Sequence, residues 1–360
     1  MSTDKIVVGI DLGTTNACVA IAMKEGTIMD YKVVQNLLGF RTTPSVVGFN
    51  EDGEIMIGQI AKNQQVTNPE RTIYGAKRLI GHKRGDEDVE KLFSAAPFKI
   101  DFTDEDDPII KIPAAKNDKA REYKPEQISA QVLGEVVRIV KNKTGKEPDE
   151  CIITVPAYFN DLQRQSTKIA AEIAGIKCNK LVNEPTAAAI AFQDAVKFDN
   201  GTVLVFDFGG GTLDVSILNV EGNKFIVKAV AGNSSLGGED IDVILVDEMI
   251  TRFQRKNPGK DPRSNKRSMA ILKQKCEEAK CQLSSEREAR ITIAAFFDGI
   301  ALNETITRAK FEFICDEIIS QVTDPIEEAL KEAGLTTDDI NQIILVGGSS
   351  RIPAVSKAVS

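Results

Sequence analysis

The stretch LVFDFGGGTLDVSIL, residues 204–218, has two apolar strands on either side of a turn with three consecutive glycines between two aspartates. A structural turn needs free φ at one or two positions, so the third glycine requires another explanation. A turn without side chains lets several backbone N–H groups converge on one anion. This stretch therefore predicts a hairpin that binds phosphate.

A second stretch repeats the pattern. VVGIDLGTTNACVAI, residues 7–21, also has an apolar strand, an aspartate, a glycine, small residues with threonine, and a second apolar strand. Asp11 and Asp207 are separated by roughly the length of one domain. The repeat predicts a duplicated unit, with two matching turns that face one another.

Threonine hydroxyls can donate to phosphate, but aspartates would repel it. A hard divalent cation between carboxylate and phosphate removes this conflict, since Mg²⁺ is typically held by few carboxylates, waters and substrate phosphates. The residues concerned are Thr14, Thr15, Thr212, Asp11, Asp207 and Asp214. We therefore expect a magnesium nucleotide. A third turn, LVGGSSRIP at residues 345–353, ends in a proline that favours a helix start. We expect this turn to lie on the nucleoside side of the nucleotide-binding cleft.

Composition excludes several classes of protein. The 360 residues have a net charge of −8, which disfavours a nucleic-acid binder. No apolar run is long enough for a membrane span, and the N-terminus lacks a signal peptide, so we expect a cytoplasmic location. Six cysteines without a CxxC pair, and a single histidine, disfavour zinc. We expect the thiols to be buried and His82 to lie in an exposed loop.

Strand-like runs alternate with helical patterns, which predicts an α/β fold. The helix predicted from residue 126 ends at Gly145, and strands and a hairpin are expected on both sides of the second glycine turn. The polar region 101–126 predicts solvated surface. Neither GxxxxGK[ST] nor a GxGxxG motif of the dinucleotide-binding type occurs, so a P-loop or Rossmann site is unsupported.

Seven motifs, in order, resemble the nucleotide-binding domain of the seventy-kilodalton heat-shock chaperone family: GIDLGTTNACV, AKRLIG, TVPAYFND, LVNEPTAAAIAF, FDFGGGTLDVSIL, LGGEDID and LVGGSSRIP. The resemblance implies an actin-like, hexokinase-like ATPase fold. It has two lobes with a duplicated β-sheet core flanked by helices, two subdomains per lobe, and a nucleotide cleft between the lobes. The implied boundaries are lobe I at 1–197 (base 1–40 and 125–197, outer 41–124) and lobe II at 198–360 (base 198–237 and 316–360, outer 238–315).

The resemblance also implies a role for each matching residue. Asp11 and Asp207 would hold Mg²⁺ through water and help to bind K⁺, while Lys77, Glu184, Asp207 and Thr212 would be catalytic. Residues implied to bind ATP or ADP are Gly13, Thr14, Thr15, Asn16, Gly209, Gly210, Gly211, Thr212, Gly237, Gly238, Glu239, Glu277, Lys280, Ser284, Gly347, Gly348, Ser349 and Arg351. Glu277, Lys280 and Ser284 have a spacing that places them on one helix face.

This sequence departs from the family at Asn16, which is one of these residues, and at Cys281, which follows Lys280. Cys281 stands where the family usually has an arginine packed on adenine, so we expect weaker base stacking. Asn16 replaces the tyrosine usual in eukaryotic cytosolic members. Neither change touches the residues expected at Mg²⁺ and phosphate.

The implied function is slow, Mg-dependent ATP hydrolysis in a chaperone of the stress response, which controls binding and release of unfolded peptides. Pro156 and Arg164 would relay nucleotide state to a peptide-binding domain that this sequence lacks, and we expect a C-terminally truncated, monomeric fragment. Expected partners are J-domain proteins and nucleotide-exchange factors, with no nucleic acid or membrane. A sugar kinase and an actin-like nucleotide-binding protein of the same superfamily remain alternatives. The endoplasmic reticulum or another organelle remains an alternative location, because the family has members there as well as in the cytosol.

Overall fold

The chain divides into two units, Met1–Ala187 and Ala188–Ser360, which are described separately below. The computed structural model describes residues 5–25, 28–234 and 236–360. Strands and helices alternate in both units, so the predicted α/β class is confirmed. The finer boundaries of lobes and subdomains, including the division after residue 197, remain predictions.

The first unit contains a larger mixed sheet and two small antiparallel sheets. Its strands are β1 (Val7–Leu12), β2 (Asn16–Glu25), β3 (Ile28–Val33), β4 (Thr42–Pro44), β5 (Val47–Phe49), β6 (Ile55–Ile57), β7 (Thr72–Ile73), β8 (Lys99–Phe102), β9 (Pro108–Ile112), β10 (Arg121–Tyr123), β11 (Glu150–Val155) and β12 (Lys177–Asn183). Its helices are α1 (Gln59–Gln64), α2 (Glu87–Ala95), α3 (Pro125–Thr144), α4 (Asp161–Ile173) and α5 (Glu184–Val196), the last of which continues into the second unit.

The strand order of the larger sheet is β12-β11-β1-β2-β3, with β4 paired to β2. β11 is parallel to both β1 and β12, whereas β1 and β2 form an antiparallel hairpin. Val8 and Ile10 of β1 are buried with Val132 and Leu133 of α3 in one apolar core. This core fixes β1, and therefore the position of the turn at its end.

The second unit repeats this arrangement. Its strands are β13 (Asn200–Phe208), β14 (Leu213–Glu221), β15 (Lys224–Asn233), β16 (Glu288–Phe297), β17 (Ile300–Thr307) and β18 (Gln342–Val346). Its helices are α6 (Gly238–Lys256), α7 (Lys266–Leu283), α8 (Arg308–Ile314), α9 (Asp316–Ser320), α10 (Asp324–Ala333) and α11 (Pro353–Val359). β16 and β17 form the predicted hairpin as a separate two-stranded sheet.

The order β15-β14-β13-β18 corresponds to β3-β2-β1-β11 of the first unit, and β18 is parallel to β13 just as β11 is parallel to β1. Both faces of β13 are buried, because Phe206 and Phe208 lie in the core with α6 while Val203 and Val205 pack in a second cluster with α5. A strand buried on both faces needs apolar residues at successive positions, which explains the run VLVF.

Two helices show how local signals set the ends of elements. α3 ends at Gly145, whose φ of 77° lies in the left-handed region that favours glycine. α4 begins after Asn160, whose side chain accepts a hydrogen bond from the amide of Gln163, while Gln163 accepts one from the amide of Asn160. The sequence pattern predicted the first of these helices and its end at Gly145.

Two expectations about the exposure of polar side chains were wrong. The polar region 101–126 contributes to a small antiparallel sheet, and within it Asp118 is buried in an ion pair with Arg71. His82 is only 19% exposed, because its ring lies 2.9 Å from Asp86 Oδ2 and 2.7 Å from Gln163 Nε2. Local polarity indicated solvent in both cases, but partners distant in sequence cover these side chains.

None of the helices in the described ranges combines the length and apolar character needed to cross a bilayer.

Candidate functional site

The first glycine turn, residues 13–16, joins β1 to β2. The amide of Gly13 donates to the carbonyl oxygen of Asn16 at 3.0 Å. A Cβ at position 13 would collide with that oxygen, so the turn requires glycine. Ser45 fixes the turn from outside, because its hydroxyl donates to Gly13 O at 2.8 Å and its amide to Thr15 O at 2.9 Å.

Asp11 precedes this turn at the end of β1. Its Oδ1 accepts a hydrogen bond from the hydroxyl of Thr154 at 2.9 Å, although its side chain is exposed. Thr154 lies in β11, the parallel neighbour of β1, so the sheet brings the two side chains together. Sequence reasoning did not single out Thr154, although it lies in the motif TVPAYFND.

Lys77 and Glu184 form an ion pair in the first unit. Lys77 Nζ lies 2.7 Å from Glu184 Oε1, with the side chains 12% and 19% exposed. Lys77 lies in a 3₁₀ turn, Ala76–Arg78, and its ammonium is 5.7 Å from the centre of the Phe159 ring. The structure thus brings together two residues that the sequence predicted to be catalytic, in a partly desolvated pair.

Arg164 connects the segment after β11 to the end of β12. Its guanidinium donates to Phe159 O at 2.9 Å, to Ala157 O at 3.2 Å and to Asn183 Oδ1 at 3.0 Å. Pro156 begins the same segment, and its carbonyl accepts from the amide of Phe159. Asn183 directly precedes Glu184, so Arg164, one of the two residues predicted to relay nucleotide state, contacts the residue next to the ion pair.

The second glycine turn, residues 209–212, joins β13 to β14. Gly209 donates to Thr212 O at 3.0 Å, the same bond that Gly13 makes to Asn16. Thr212 therefore corresponds in structure to Asn16, while Thr14 and Thr15 correspond to Gly210 and Gly211. The hydroxyl of Thr212 donates to Asp214 Oδ2 at 2.9 Å.

The start of α6 packs directly on the second glycine turn. The amides of Gly238 and Glu239 donate to the carbonyls of Gly209 and Gly210 at 3.0 and 2.8 Å. A Cβ on Gly237 would collide with the backbone of Gly210. Three residues predicted to bind nucleotide thus also fix the shape of the turn.

The third turn also contacts the second. Gly347 has a φ of 83°, and a Cβ there would collide with the carbonyl of Phe208. The hydroxyl of Ser349 donates to Gly209 O at 2.8 Å. Gly348 lies between Gly347 and Ser349 in the chain. The side chain of Arg351, two residues after Ser349, is exposed. A 3₁₀ turn, Ser349–Arg351, intervenes before α11, so the helix begins later than the glycines.

Lys280 on α7 is held by the start of α6. Its ammonium donates to Gly238 O at 2.7 Å and to Asp242 Oδ2 at 2.8 Å. Burial raises the pKa of Asp242 to about 6, although the charge of Lys280 acts in the opposite direction. Asp242 was missed, although it stands four residues after Gly238 in the motif LGGEDID.

Glu277 and Ser284, which were predicted to bind nucleotide together with Lys280, lie at other places along α7. Glu277 lies on α7, one turn before Lys280, and its charge also raises the pKa of Asp242. Ser284 caps the end of α7, with its hydroxyl 3.4 Å from Lys280 O. Cys281 is exposed at the end of the same helix, so the expectation that the thiols are buried was wrong for this residue.

These residues suit a phosphate ligand with a magnesium ion. Among the described side chains, Thr15 Oγ1 and Asp242 Oδ1 are the polar atoms buried without a hydrogen-bond partner. A buried hydroxyl without a partner costs about 1–3 kcal/mol, which an anion at the first glycine turn would offset. Within the described ranges there is no group of three or more His, Cys, Asp or Glu side chains that could hold a metal directly. Asp11 at the end of β1, before the first glycine turn, and Asp207 near the end of β13, before the second, each offer a carboxylate of the kind that holds Mg²⁺ through water and phosphate.

One comparison with known proteins identifies the family. The family model described as Hsp70 protein matches residues 7–360, which is nearly the whole chain. Members of this family have the actin-like ATPase fold, as the motifs predicted. This chain belongs to the Hsp70 family.

Proposed function

We propose that this chain is the domain of a chaperone that binds and hydrolyses ATP, and whose ATP/ADP cycle controls the binding and release of unfolded peptides. Hsp70 proteins are chaperones that generally hydrolyse ATP and bind ATP or ADP with Mg²⁺. The observation that supports the proposal most is the pair of glycine turns. In each turn the amide of the first glycine donates a hydrogen bond to the carbonyl oxygen of the fourth residue, and each turn joins the equivalent two strands of its sheet.

The two glycine turns are proposed to bind the phosphates through backbone N–H groups and threonine hydroxyls. Asp11 and Asp207 would hold Mg²⁺ through water and contribute to K⁺ binding. The metal, when bound, supplies positive charge that offsets the charge of the phosphates. Residues proposed for the adenosine side are Glu277, Lys280, Ser284, Gly347, Gly348, Ser349 and Arg351.

Lys77 is proposed to stabilise the negative charge that develops as the terminal phosphoryl group is transferred to water. Its ammonium is held at 2.7 Å from Glu184 in a partly buried position, where a charge interacts more strongly than in bulk water. Glu184 would hold Lys77 in place and help to arrange metal and water. Asp207 and Thr212 are proposed to complete the catalytic group.

Arg164 and Pro156 are proposed to transmit nucleotide state to a peptide-binding domain. Support comes from the hydrogen bond of Arg164 to Asn183, the residue next to Glu184. J-domain proteins and nucleotide-exchange factors are the proposed partners, since the family has co-chaperones in general. We further propose that the chain is monomeric and acts in the cytoplasm.

The test is single-turnover release of phosphate from ATP in Mg²⁺ and K⁺, with and without added hexose. We expect slow release that does not depend on hexose and falls when Na⁺ replaces K⁺. Lys77→Ala should release phosphate at least about 100-fold more slowly, because it removes a charge aimed at the developing negative charge.

Lys119→Ala is the matched control, since Lys119 is an exposed lysine of the same unit. Its rate should equal that of the unchanged chain. Hexose-dependent turnover would overturn the proposal in favour of a sugar kinase. ADP binding without any phosphate release would show a binding module, and ATP-dependent sedimentation would indicate an actin-like polymer.

A further inference from the structure

Cys151 and Cys178 are direct neighbours in two adjacent strands. β11 and β12 are parallel, and Cys151 is the partner of Cys178 in their register. Neighbouring strands lie about 4.8 Å apart, which is within the range of about 4.4–6.8 Å between the Cα atoms of disulfide-bonded cysteines. The Cys178 thiol donates a hydrogen bond to Lys180 O at 3.6 Å.

A bulge in β12 directly follows the pair. The register moves from Cys151–Cys178 to Ile152–Lys180, so Asn179 is an extra residue on β12. A bulge bends its strand and increases the local twist.

The two thiols differ in exposure and in acidity. Cys151 is fully buried, whereas Cys178 is partly exposed and so accessible to a small oxidant. The neighbouring Cys151 thiol and the nearby charge of Lys168 lower the pKa of the Cys178 thiol to about 7, while the proximity of Cys178 raises the pKa of Cys151. Because the thiolate is the nucleophile, Cys178 is the member of the pair that reacts first.

We propose that Cys178 and Cys151 form a redox modification site, in which a hydroperoxide oxidises Cys178 and Cys151 then closes a disulfide. In the first step the Cys178 sulfur attacks one oxygen of hydrogen peroxide, the O–O bond breaks, and the released hydroxide takes up a proton as water. In the second step the Cys151 sulfur attacks the Cys178 sulfenic acid, the S–O bond breaks, and the hydroxide leaves as water with the Cys151 proton. Two thiols are oxidised and one peroxide is reduced to two waters.

The other cysteines lack this arrangement. Cys276 and Cys315 are buried, and burial raises the pKa of both thiols, that of Cys315 to about 12. Cys18 is partly exposed, but burial and the charge of Asp11 raise its pKa. Cys281 is exposed at the end of α7 and provides a reference for a cysteine on the surface.

The experiment treats the whole chain with a few equivalents of hydrogen peroxide, blocks remaining thiols with N-ethylmaleimide, and maps the products by mass spectrometry. We expect a peptide pair joined through Cys151 and Cys178, two hydrogen atoms lighter than the reduced pair, which dithiothreitol separates. In Cys151→Ser, Cys178 should stop at the sulfenic acid and be trapped by dimedone. Cys281→Ser should form the same link as the unchanged chain.

The mapping of the unchanged chain is decisive even if a variant fails to fold. Oxidation of Cys178 to sulfinic acid without a link would overturn the proposal. So would a link between other cysteines, a link between two chains on a non-reducing gel, or recovery of both thiols unmodified. Cooperative thermal unfolding of Cys151→Ser, compared with the unchanged chain, shows whether its sulfenic acid forms in a folded protein.

Discussion

The ammonium group of Lys77 lies 2.7 Å from Oε1 of Glu184, although the residues are 107 positions apart in the sequence. A 3₁₀ turn presents the lysine, and the first residue of α5 supplies the carboxylate. Because the pair is mostly shielded from water, each charge restricts where the other can lie. This arrangement leads to the first prediction.

Glu184→Gln should lower the rate of single-turnover phosphate release by about 10- to 100-fold while changing ADP affinity by less than about 3-fold. The amide keeps the shape of the carboxylate but loses its charge, so Lys77 is held less firmly. Glu172→Gln, at an exposed position on α4, is the control and should retain the full rate. Equal rates for Glu184→Gln and the control would exclude a role for Glu184 in hydrolysis.

Gly13→Ala should weaken ADP binding at least tenfold and lower the free energy of unfolding by about 1–3 kcal/mol. The added Cβ would collide with the carbonyl oxygen of Asn16 and distort the first glycine turn. Isothermal titration calorimetry and urea unfolding measure the two effects.

Gly134→Ala is the matched control for this substitution. Gly134 lies inside α3, and a Cβ there meets no atom within 4 Å. Since alanine is the better helix former by about 1 kcal/mol, this variant should be slightly more stable and bind ADP normally. Normal ADP binding by Gly13→Ala would show that the first glycine turn does not bind the nucleotide.

Asp242 should make the stability of the chain fall as pH rises from about 4 to 6. Its folded pKa of about 6 exceeds the ordinary value of 3.8, so the native state binds more protons in this window. The penalty for a buried charge is absent below the unfolded pKa and complete above the folded one. It amounts to about 2–3 kcal/mol, from a shift of about two pH units.

Asp242→Asn should remove this slope, as measured by urea unfolding at a series of pH values. Because this variant also removes the charged partner of Lys280, the free energy of unfolding changes by the same amount at every pH in this range. Asp338→Asn, at an exposed position, should leave the slope unchanged. A stability that instead rises from pH 4 to 6 through Asp242 would show that its ion pair with Lys280 outweighs burial.

Arg164→Lys should lower the free energy of unfolding by about 1–3 kcal/mol while ADP affinity stays within about 2-fold. Lysine keeps the charge but cannot reproduce the geometry of the three bonds to Phe159, Ala157 and Asn183. Arg84→Lys, a largely exposed arginine, should change stability by less than about 0.5 kcal/mol. An unchanged urea midpoint for Arg164→Lys would mean that these bonds contribute nothing to stability.

The sequence predicted those features that depend on residues close together in the chain. The alternation of apolar patterns predicted the α/β class, and Gly145 predicted the end of α3. The family motifs predicted the Hsp70 family, which the match over residues 7–360 confirmed. The two glycine turns were visible because an aspartate, glycines and threonine must be nearly contiguous to form such a turn.

Which residues of the two glycine turns are equivalent could be established only from the structure. The sequence repeat suggested that the threonines of the two turns correspond. The hydrogen bonds within each turn show instead that Thr212 occupies the position in the second turn that Asn16 occupies in the first. The ion pair of Lys280 with Asp242 was likewise not predicted, because it joins two helices. Similarly, Asp118 belongs to a polar stretch and is nevertheless buried against Arg71.

The sequence by itself thus determined the class of fold, the family and the residues of the glycine turns, since these are set by local pattern and short motifs. Only the tertiary structure decided which distant side chains meet: Lys77 with Glu184, Thr154 with Asp11, and Cys151 with Cys178. The reason is physical. Strand order and helix packing fix the contacts between residues far apart in the chain, and no local pattern in one segment specifies the segment against which it will pack.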